Sequence, residues 1–156
     1  MKIALVAVGN RMPSWLDEGF REYAKRMPPE APLELIEVKP EKRAKNEQAD
    51  DILAIEAKRI DAYLKKSRPV VVLDEHGELW ETKRIATFLQ DAMANGMSPA
   101  FVIGSADGLD ERIKENAAHR VALSKMTLPH GLVRVILAEQ LYRGWSILQG
   151  HPYHRV

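Results

Sequence analysis

A cluster of titratable and aromatic side chains lies at the carboxyl end of the chain. His151 and His154 could exchange a proton near neutral pH, and Tyr153 could stack on a flat ring. Arg155, and Arg143 on the preceding helix, could hold phosphate groups. The alternative, that these are exposed tail residues without a chemical role, stays open. The two histidines do not predict a metal site, because no carboxylate or cysteine in the tail completes a ligand set.

Three short stretches at the ends of predicted strands could form a ligand site. They are Leu73–Glu75, Ile103–Gly108 and Leu123–Leu128. In an open parallel sheet, ligands bind where the chain leaves the carboxyl ends of the strands. None of the stretches is a phosphate loop or a dinucleotide-binding fingerprint, because the required glycine spacing and the Gly-Lys-Ser/Thr ending are missing. From spacing alone, ordinary strand-to-helix turns are an equally good interpretation.

The elements that must position these residues alternate between strand and helix. Short apolar or β-branched runs predict strands, and apolar residues at steps of three and four predict helices. The predicted strands are Lys2–Val8, Leu33–Val38, Pro69–Asp74, Ala100–Ile103 and His119–Leu123. This alternation predicts an α/β fold with a mostly parallel sheet and helices on both faces, in one domain over residues 1–156.

Local signals predict several helix ends and turns. Ser14 is the predicted N-cap of the first helix, and Pro28-Pro29 its end. His76-Gly77 is predicted to be a turn, and Thr82 to be the N-cap of the third helix. A short helix is expected from Asp110.

The last helix, predicted from about Gly131 to Leu148, is unusually apolar. Its main stripe repeats at steps of four, four, four and three, through Val133, Leu137, Leu141, Trp145 and Leu148. Such a helix is expected to be covered on most sides, by its own sheet and by another subunit. Glu139 and Arg143 are spaced for an ion pair, which on a surface would contribute only about 0.2–0.5 kcal/mol.

Composition limits the class of protein. The chain has 156 residues, of which 46% are hydrophobic and 29% charged, as in ordinary globular proteins. No run reaches the ~20 apolar residues of a membrane span, and no signal peptide is recognisable. Cysteine is absent, so a cytoplasmic location is expected. The net charge of +1 does not itself indicate a nucleic-acid partner. One local group of basic residues could contact RNA or simply be solvated: Lys39, Lys42, Arg43 and Lys45.

The carboxyl-terminal sequence resembles that of a known family. The run TLPHGLVRVILAEQLYRGWSI followed by HPYHR, with KIALVAVGN at the start, is similar to the RlmH family. These are bacterial methyltransferases of the SPOUT superfamily that act on large-subunit ribosomal RNA. The resemblance extends over the whole chain and implies a homodimer with a deep trefoil knot at the carboxyl end of each subunit.

The resemblance also implies a cofactor, an acceptor and site residues. S-adenosylmethionine would lie between the knot loops, against Leu73, Gly104, Leu123, Ser124, Lys125, Met126, Thr127 and Leu128. The acceptor would be N3 of a pseudouridine in the helix 69 loop of 23S rRNA, within the ribosome. The implied catalytic residues are Arg143, His151, Tyr153 and His154, and the RNA-binding residues are Arg143, Tyr153 and Arg155. No metal is required, and the base could be His130, His151 or His154.

One departure from the family pattern is expected to matter. The family has two adjacent glycines after the fourth strand, whereas Ser105 follows Gly104 here. A positive φ at that position would cost a non-glycine residue roughly 1–2 kcal/mol, which puts Ser105 in doubt as a contact. Two alternative functions stay open: a SPOUT methyltransferase with a different RNA acceptor, and a ribosome-associated factor without catalysis.

Overall fold

The computed structural model describes residues 1–43 and 48–154, and its centre is a five-stranded sheet in the order β2-β1-β4-β3-β5. All four strand pairings are parallel. The strands are β1 Ile3–Val8, β2 Leu33–Val38, β3 Val70–Leu79, β4 Ala100–Ile103 and β5 His119–Ala122. The helices are α1 Ser14–Ala24, α2 Ala49–Leu64, α3 Thr82–Ala94, α4 Glu111–Asn116 and α5 His130–Leu148.

Helices cover both faces of the sheet, as the sequence predicts. Strand β1 shows why its run is wholly apolar: Ile3, Leu5 and Ala7 point into one core cluster and the alternate residues into the other. The first cluster is completed by α1, α3 and α5, through Phe20, Ile85, Leu89, Leu137, Leu141 and Trp145. The second is completed by α2 and the α4 region, through Ala57, Ile60, Leu109 and Ile113.

Two predicted helix caps are wrong, and both hydroxyl residues are instead the first residues of their helices. Pro13 occupies the N-cap of α1, with an extended ψ of 146°, and its carbonyl accepts the first helical N–H groups. At α3 the N-cap is Glu81. The Thr82 hydroxyl donates to Gln140 Oε1 on α5 at 2.8 Å, so a tertiary contact uses the group that would have capped the helix.

Helix α1 ends at Ala24, earlier than the Pro28-Pro29 pair predicts. The next N–H groups, of Arg26 and Met27, bond to carbonyls only three residues back, and this tightens the chain out of α-helical geometry. Pro28 and Pro29 therefore follow a turn rather than terminate the helix. By contrast, the short helix expected from Asp110 is present, with the Asp110 side chain accepting from the N–H of Arg112.

The predicted turn at His76-Gly77 is a bulge within β3, which continues to Leu79. Leu73 and Glu78 both pair with Val121 of β5, so the four residues between them are looped out of the ladder. A Cβ on Gly77 would lie 2.7 Å from the backbone of Arg120, so the chain can return to β5 only with glycine there. The bulge was not predictable from the β-branched run, which stops at Leu73.

In residues 1–43 and 48–154, no helix is both long and apolar enough to cross a membrane. The knot implied by the resemblance stays a prediction.

Candidate active site

A cavity of about 620 Å³ lies where the chain leaves β3, β4 and β5. That volume is within the range of small-molecule sites. All three predicted stretches line it, so the strand exits converge. Of the eight predicted cofactor residues, seven form its walls and Lys125 does not: Leu73, Gly104, Leu123, Ser124, Met126, Thr127 and Leu128. Asp74 and Glu75, which belong to the first predicted stretch, also line the cavity, whereas the lining residues His76 and Lys114 lie outside all three stretches.

The loop from Gly104 to Gly108 is folded tightly against itself. Ser105 and Gly108 form an antiparallel bridge, and the Gly108 N–H donates to the Ser105 carbonyl at 2.9 Å. A Cβ on Gly104 would lie 2.3 Å from the Gly108 carbonyl oxygen. Glycine is therefore required at position 104 by lack of space, whereas at Gly108 it permits a φ of +94°.

Ser105 is not strained, contrary to the doubt raised by the family pattern. Only glycines have positive φ among the described residues. The Ser105 hydroxyl donates to Glu56 Oε1 at 2.9 Å, and the other carboxylate oxygen accepts the N–H of Glu41 at 3.0 Å. Glu56 is only 3% exposed and ties the loop to α2. The signal that could have identified it is an acidic residue in line with Ile52 and Ile60 on the buried face of α2.

Replacing Ser105 with alanine is expected to lower the free energy of unfolding by about 1–3 kcal/mol, because one oxygen of a buried carboxylate loses its partner. Chemical denaturation measures the change. Thr87→Ala is the matched control, since its hydroxyl makes only an exposed bond to the Lys83 carbonyl and its loss should change stability by less than about 0.5 kcal/mol. Equal losses of stability at the two positions would show that the hydrogen bond between Ser105 and Glu56 does not stabilise the fold.

The polar end of the cavity is formed by the β3 bulge and α4. Asp74 Oδ1 accepts the N–H of His76 at 3.0 Å, and Lys114 Nζ lies 3.8 Å from Asp74 Oδ2. Glu75 and Asp107 also line the cavity. Because Arg43 is paired with Asp107, the three carboxylates exceed the two cations, Lys114 and Arg43, by one charge, an excess that suits a ligand with positive charge.

The amino end of α5 forms the back of the cavity, where His130 contacts the glycine loop. His130 Nδ1 lies 3.0 Å from the Gly104 carbonyl oxygen, and Arg134 Nε donates to His130 Nε2 at 3.1 Å. Arg134 is 2% exposed and pairs with Glu37 Oε2 at 3.2 Å. Burial, reinforced by the Arg134 charge, lowers the pKa of His130 below its ordinary value, so the ring is neutral at neutral pH.

The predicted catalytic residues form a second cluster, at the carboxyl end of α5. Glu139 Oε1 accepts from Arg143 Nε at 2.8 Å and from the Tyr153 hydroxyl at 3.1 Å. The Arg143 guanidinium lies 5.0 Å from the Tyr153 ring centroid, and the Tyr142 and Tyr153 rings are 4.6 Å apart. These contacts confirm the predicted pairing of Glu139 with Arg143 and fold the tail back on the helix.

The structure does not bring this tail cluster to the cavity of the same chain. Helix α5 has 19 residues, which at 1.5 Å per residue spans about 28 Å. His130 at one end lines the cavity, whereas Arg143, His151, Tyr153 and His154 do not. His151 Nδ1 accepts the Tyr153 N–H at 3.1 Å, and His154 is half-buried. Arg155 lies outside the described residues.

The Tyr153 hydroxyl gives a pH-dependent prediction. Burial, with the bond to Glu139, raises the pKa of Tyr153 to about 12. The unfolded chain releases this proton near pH 10 while the folded chain retains it. The resulting stability is therefore complete below pH 10 and is lost as the pH rises from 10 to 12. Chemical denaturation of the wild type and of Tyr153→Phe across that range should show this loss of unfolding free energy only in the wild type. In the folded wild type, tyrosinate absorbance should show one tyrosine that titrates later than the others.

One member of the predicted basic group has a defined contact. Arg43 Nη1 donates to Asp107 Oδ1 at 3.2 Å, so one member of the basic group is paired with the glycine loop; Lys39 and Lys42 are exposed, and Lys45 lies outside the described residues. Within residues 1–43 and 48–154, no three His, Cys, Asp or Glu side chains are grouped to hold a metal ion.

Similarity to known proteins extends along almost the whole chain. The family described as "Predicted SPOUT methyltransferase" matches residues 1–154. A Burkholderia thailandensis protein named "Ribosomal RNA large subunit methyltransferase H" is 55% identical over 155 residues, which cover 99% of both chains. A protein of the same name from Burkholderia multivorans is 53% identical, with the same coverage.

Solved structures resemble the fold at low sequence identity. A probable methylase family protein from Haemophilus influenzae aligns with a TM-score of 0.60 and 11% identity, covering 99% of this chain and 70% of that one. A putative RNA methyltransferase from Bacillus anthracis aligns with a TM-score of 0.54 and 16% identity, covering 99% and 98%. These likenesses concern the fold alone. The match over residues 1–154, together with relatives above half identity along nearly the whole chain, shows that the chain belongs to the SPOUT methyltransferase family.

Proposed function

We propose that this protein methylates large-subunit ribosomal RNA with S-adenosylmethionine. More specifically, we propose that the acceptor is N3 of a pseudouridine in the helix 69 loop of 23S rRNA, on assembled ribosomes in the cytoplasm. The observation that carries the proposal is the convergence of three strand exits on one cavity. Family membership and the name of the relatives support the reaction class and the kind of RNA.

The residues of the cavity fit the proposed cofactor. Leu73, Leu123 and Leu128 provide apolar walls for a flat base. A side chain at Gly104 would collide with the backbone of Gly108, so this glycine keeps the loop closed against itself as a wall of the cavity. Asp74 is an acceptor for hydroxyl groups at the polar end, and the acidic surplus there suits a cationic sulfonium.

When bound, S-adenosylmethionine supplies a methyl group on a positively charged sulfur. The chain must orient the acceptor, exclude water and handle one proton. An exposed loop base costs less to present than a base within a duplex. We propose that His151, Tyr153 and His154 contact the acceptor, with Arg143 and Arg155 near its phosphates. Arg143 is held by Glu139, so its orientation does not depend on the RNA.

We further propose that the protein acts as a homodimer in which the tail of one subunit completes the cavity of the other. In one chain, the tail contacts α5 at Glu139, and none of its described residues lines the cavity. Parts of α1 and α5 leave apolar surface uncovered: Trp15 is 61% exposed, and Leu132, Ile136 and Ile147 are only half-buried. A second copy of these helices is the partner we propose for that surface.

Calorimetric titration with S-adenosylmethionine, followed by methyl-transfer assays, tests the proposal. Binding with transfer to intact ribosomes, and not to bare rRNA or tRNA, is the expected result, and mapping the methylated nucleotide in ribosomes checks the pseudouridine. Transfer to tRNA or to another rRNA position would favour a SPOUT enzyme with a different acceptor. Absence of cofactor binding would leave a non-catalytic ribosome-associated factor.

A further inference from the structure

His130 lies between the cofactor cavity and a buried arginine, and both of its ring nitrogens are engaged. Nδ1 is 3.0 Å from the Gly104 carbonyl oxygen, and Nε2 is 3.1 Å from Arg134 Nε. A guanidinium N–H can only donate, so Nε2 must be the acceptor. The proton of the neutral ring is therefore on Nδ1, which donates to the Gly104 carbonyl.

The arginine that orients the ring is itself fixed. Arg134 is 2% exposed, and its Nη1 donates to Glu37 Oε2 at the carboxyl end of β2. Its Nη2 is buried and has no hydrogen-bond partner in the described part of the chain. A Cβ on Gly9 would lie 2.9 Å from Nη2, so the glycine after β1 provides room for the guanidinium.

The position of His130 along α5 is also tightly set. Gly131 packs so closely on α1 that a Cβ there would lie 2.3 Å from Leu16 Cδ1. The first turn of α5 therefore cannot shift towards α1 without a collision, or away from it without leaving a gap. Burial lowers the pKa of His130, so the ring stays neutral and the Nδ1–H donor persists at neutral pH.

We propose that His130 is a positioning residue that holds the Gly104 carbonyl, and with it the loop to Gly108, in the shape that binds the cofactor. Glu37 and Arg134 fix the ring tautomer from the opposite side. The residue is consequently not the base of the reaction, because neither ring nitrogen has a free lone pair. The inference rests on the proposed function in taking the cavity ligand to be S-adenosylmethionine.

Three substitutions separate the two hydrogen bonds of the ring. In His130→Asn the amide nitrogen can replace Nδ1 and donate to Gly104, whereas in His130→Gln the amide oxygen can replace Nε2 and accept from Arg134. His130→Ala removes both groups. We expect the Ala and Gln variants to bind S-adenosylmethionine about tenfold more weakly. A tenfold change in Kd corresponds to about 1.4 kcal/mol, which is the size of one lost hydrogen bond. The Asn variant should recover most of that affinity.

Nuclear magnetic resonance tests the geometry without cofactor or RNA. The ¹⁵N chemical shifts of the His130 ring should show the Nδ1–H tautomer. The amide resonance of Ser105, whose peptide group includes the Gly104 carbonyl, should move more in the Ala and Gln variants than in the Asn variant.

His119→Asn is the control, because that ring packs on Trp80 and Phe88 away from the loop. An Nε2–H tautomer, or equal effects of Asn, Gln and Ala, would overturn the proposal. Failure of methyl transfer alone would count against the proposed function and leave these shifts unaffected.

Discussion

Gly104→Ala is expected to weaken binding of S-adenosylmethionine by at least about 100-fold, or roughly 2.7 kcal/mol. The added methyl group would lie 2.3 Å from the Gly108 carbonyl oxygen and 2.7 Å from Leu109 Cγ. Neither contact can be relieved by rotating a flexible side chain, because one is backbone and the other is buried against the sheet. The loop must open, and the cavity wall moves with it. Calorimetry measures the loss of affinity.

Gly96→Ala is the matched control for a general loss of stability. Gly96 ends α3 with a φ of +63°, and nothing lies within 4 Å of the position of its Cβ. An alanine there should destabilise the fold by about 1 kcal/mol through backbone strain and leave cofactor affinity unchanged. If Gly104→Ala bound the cofactor normally, the glycine loop would not be part of the binding site.

Two inactive variants are expected to restore activity when they share a dimer. Removing residues 151–156 should slow methyl transfer at least about 100-fold, the usual contribution of a proton-handling group. Gly104→Ala should lose transfer for lack of cofactor. A heterodimer of the two has one site in which an intact cavity meets an intact tail from the partner, so heterodimers purified with two different tags should regain about half of the wild-type rate.

The same experiment distinguishes a shared site from a site within one chain. If the tail served the cavity of its own subunit, every site in the heterodimer would lack one component, and no activity would return. Homodimers of each variant are the controls. We propose the shared arrangement because none of the described tail residues lines the cavity of its own chain. The tail folds back to Glu139, which is nine residues, or about 14 Å, along α5 from His130.

Much of the fold could be predicted because parallel strands buried on both faces have unbroken apolar sequences. The apolar run of β4 predicts its observed bounds, because it ends at Gly104. The edge strand β2 is also predicted at its observed bounds, but from the alternation of residues 33–38. The bulge in β3 could not be predicted, because His76-Gly77 looks like a turn until β5 is known to pair both before and after it. Thr82 was assigned to a cap because its partner, Gln140, is 58 residues away.

In the candidate site too, local features could be predicted from the sequence, whereas contacts between distant residues could not. Strand ends are recognisable locally, and the rule that ligands bind beyond them placed the cavity at three stretches that the structure brings together. Glu56 was missed because its bond to Ser105 joins residues on different elements. His130 and Arg134 are visibly four residues apart on one helix, but only the fold shows that Gly104 and Glu37 lie on either side of them.

The bulge in β3 leaves Asp74, Glu75 and His76 outside the hydrogen-bonded ladder while β3 and β5 remain paired before and after it. Changes of side chain at these three positions therefore alter the lining of the cavity without disturbing the register of the sheet. This separation makes the bulge the first segment to randomise when selecting variants that accept cofactor analogues.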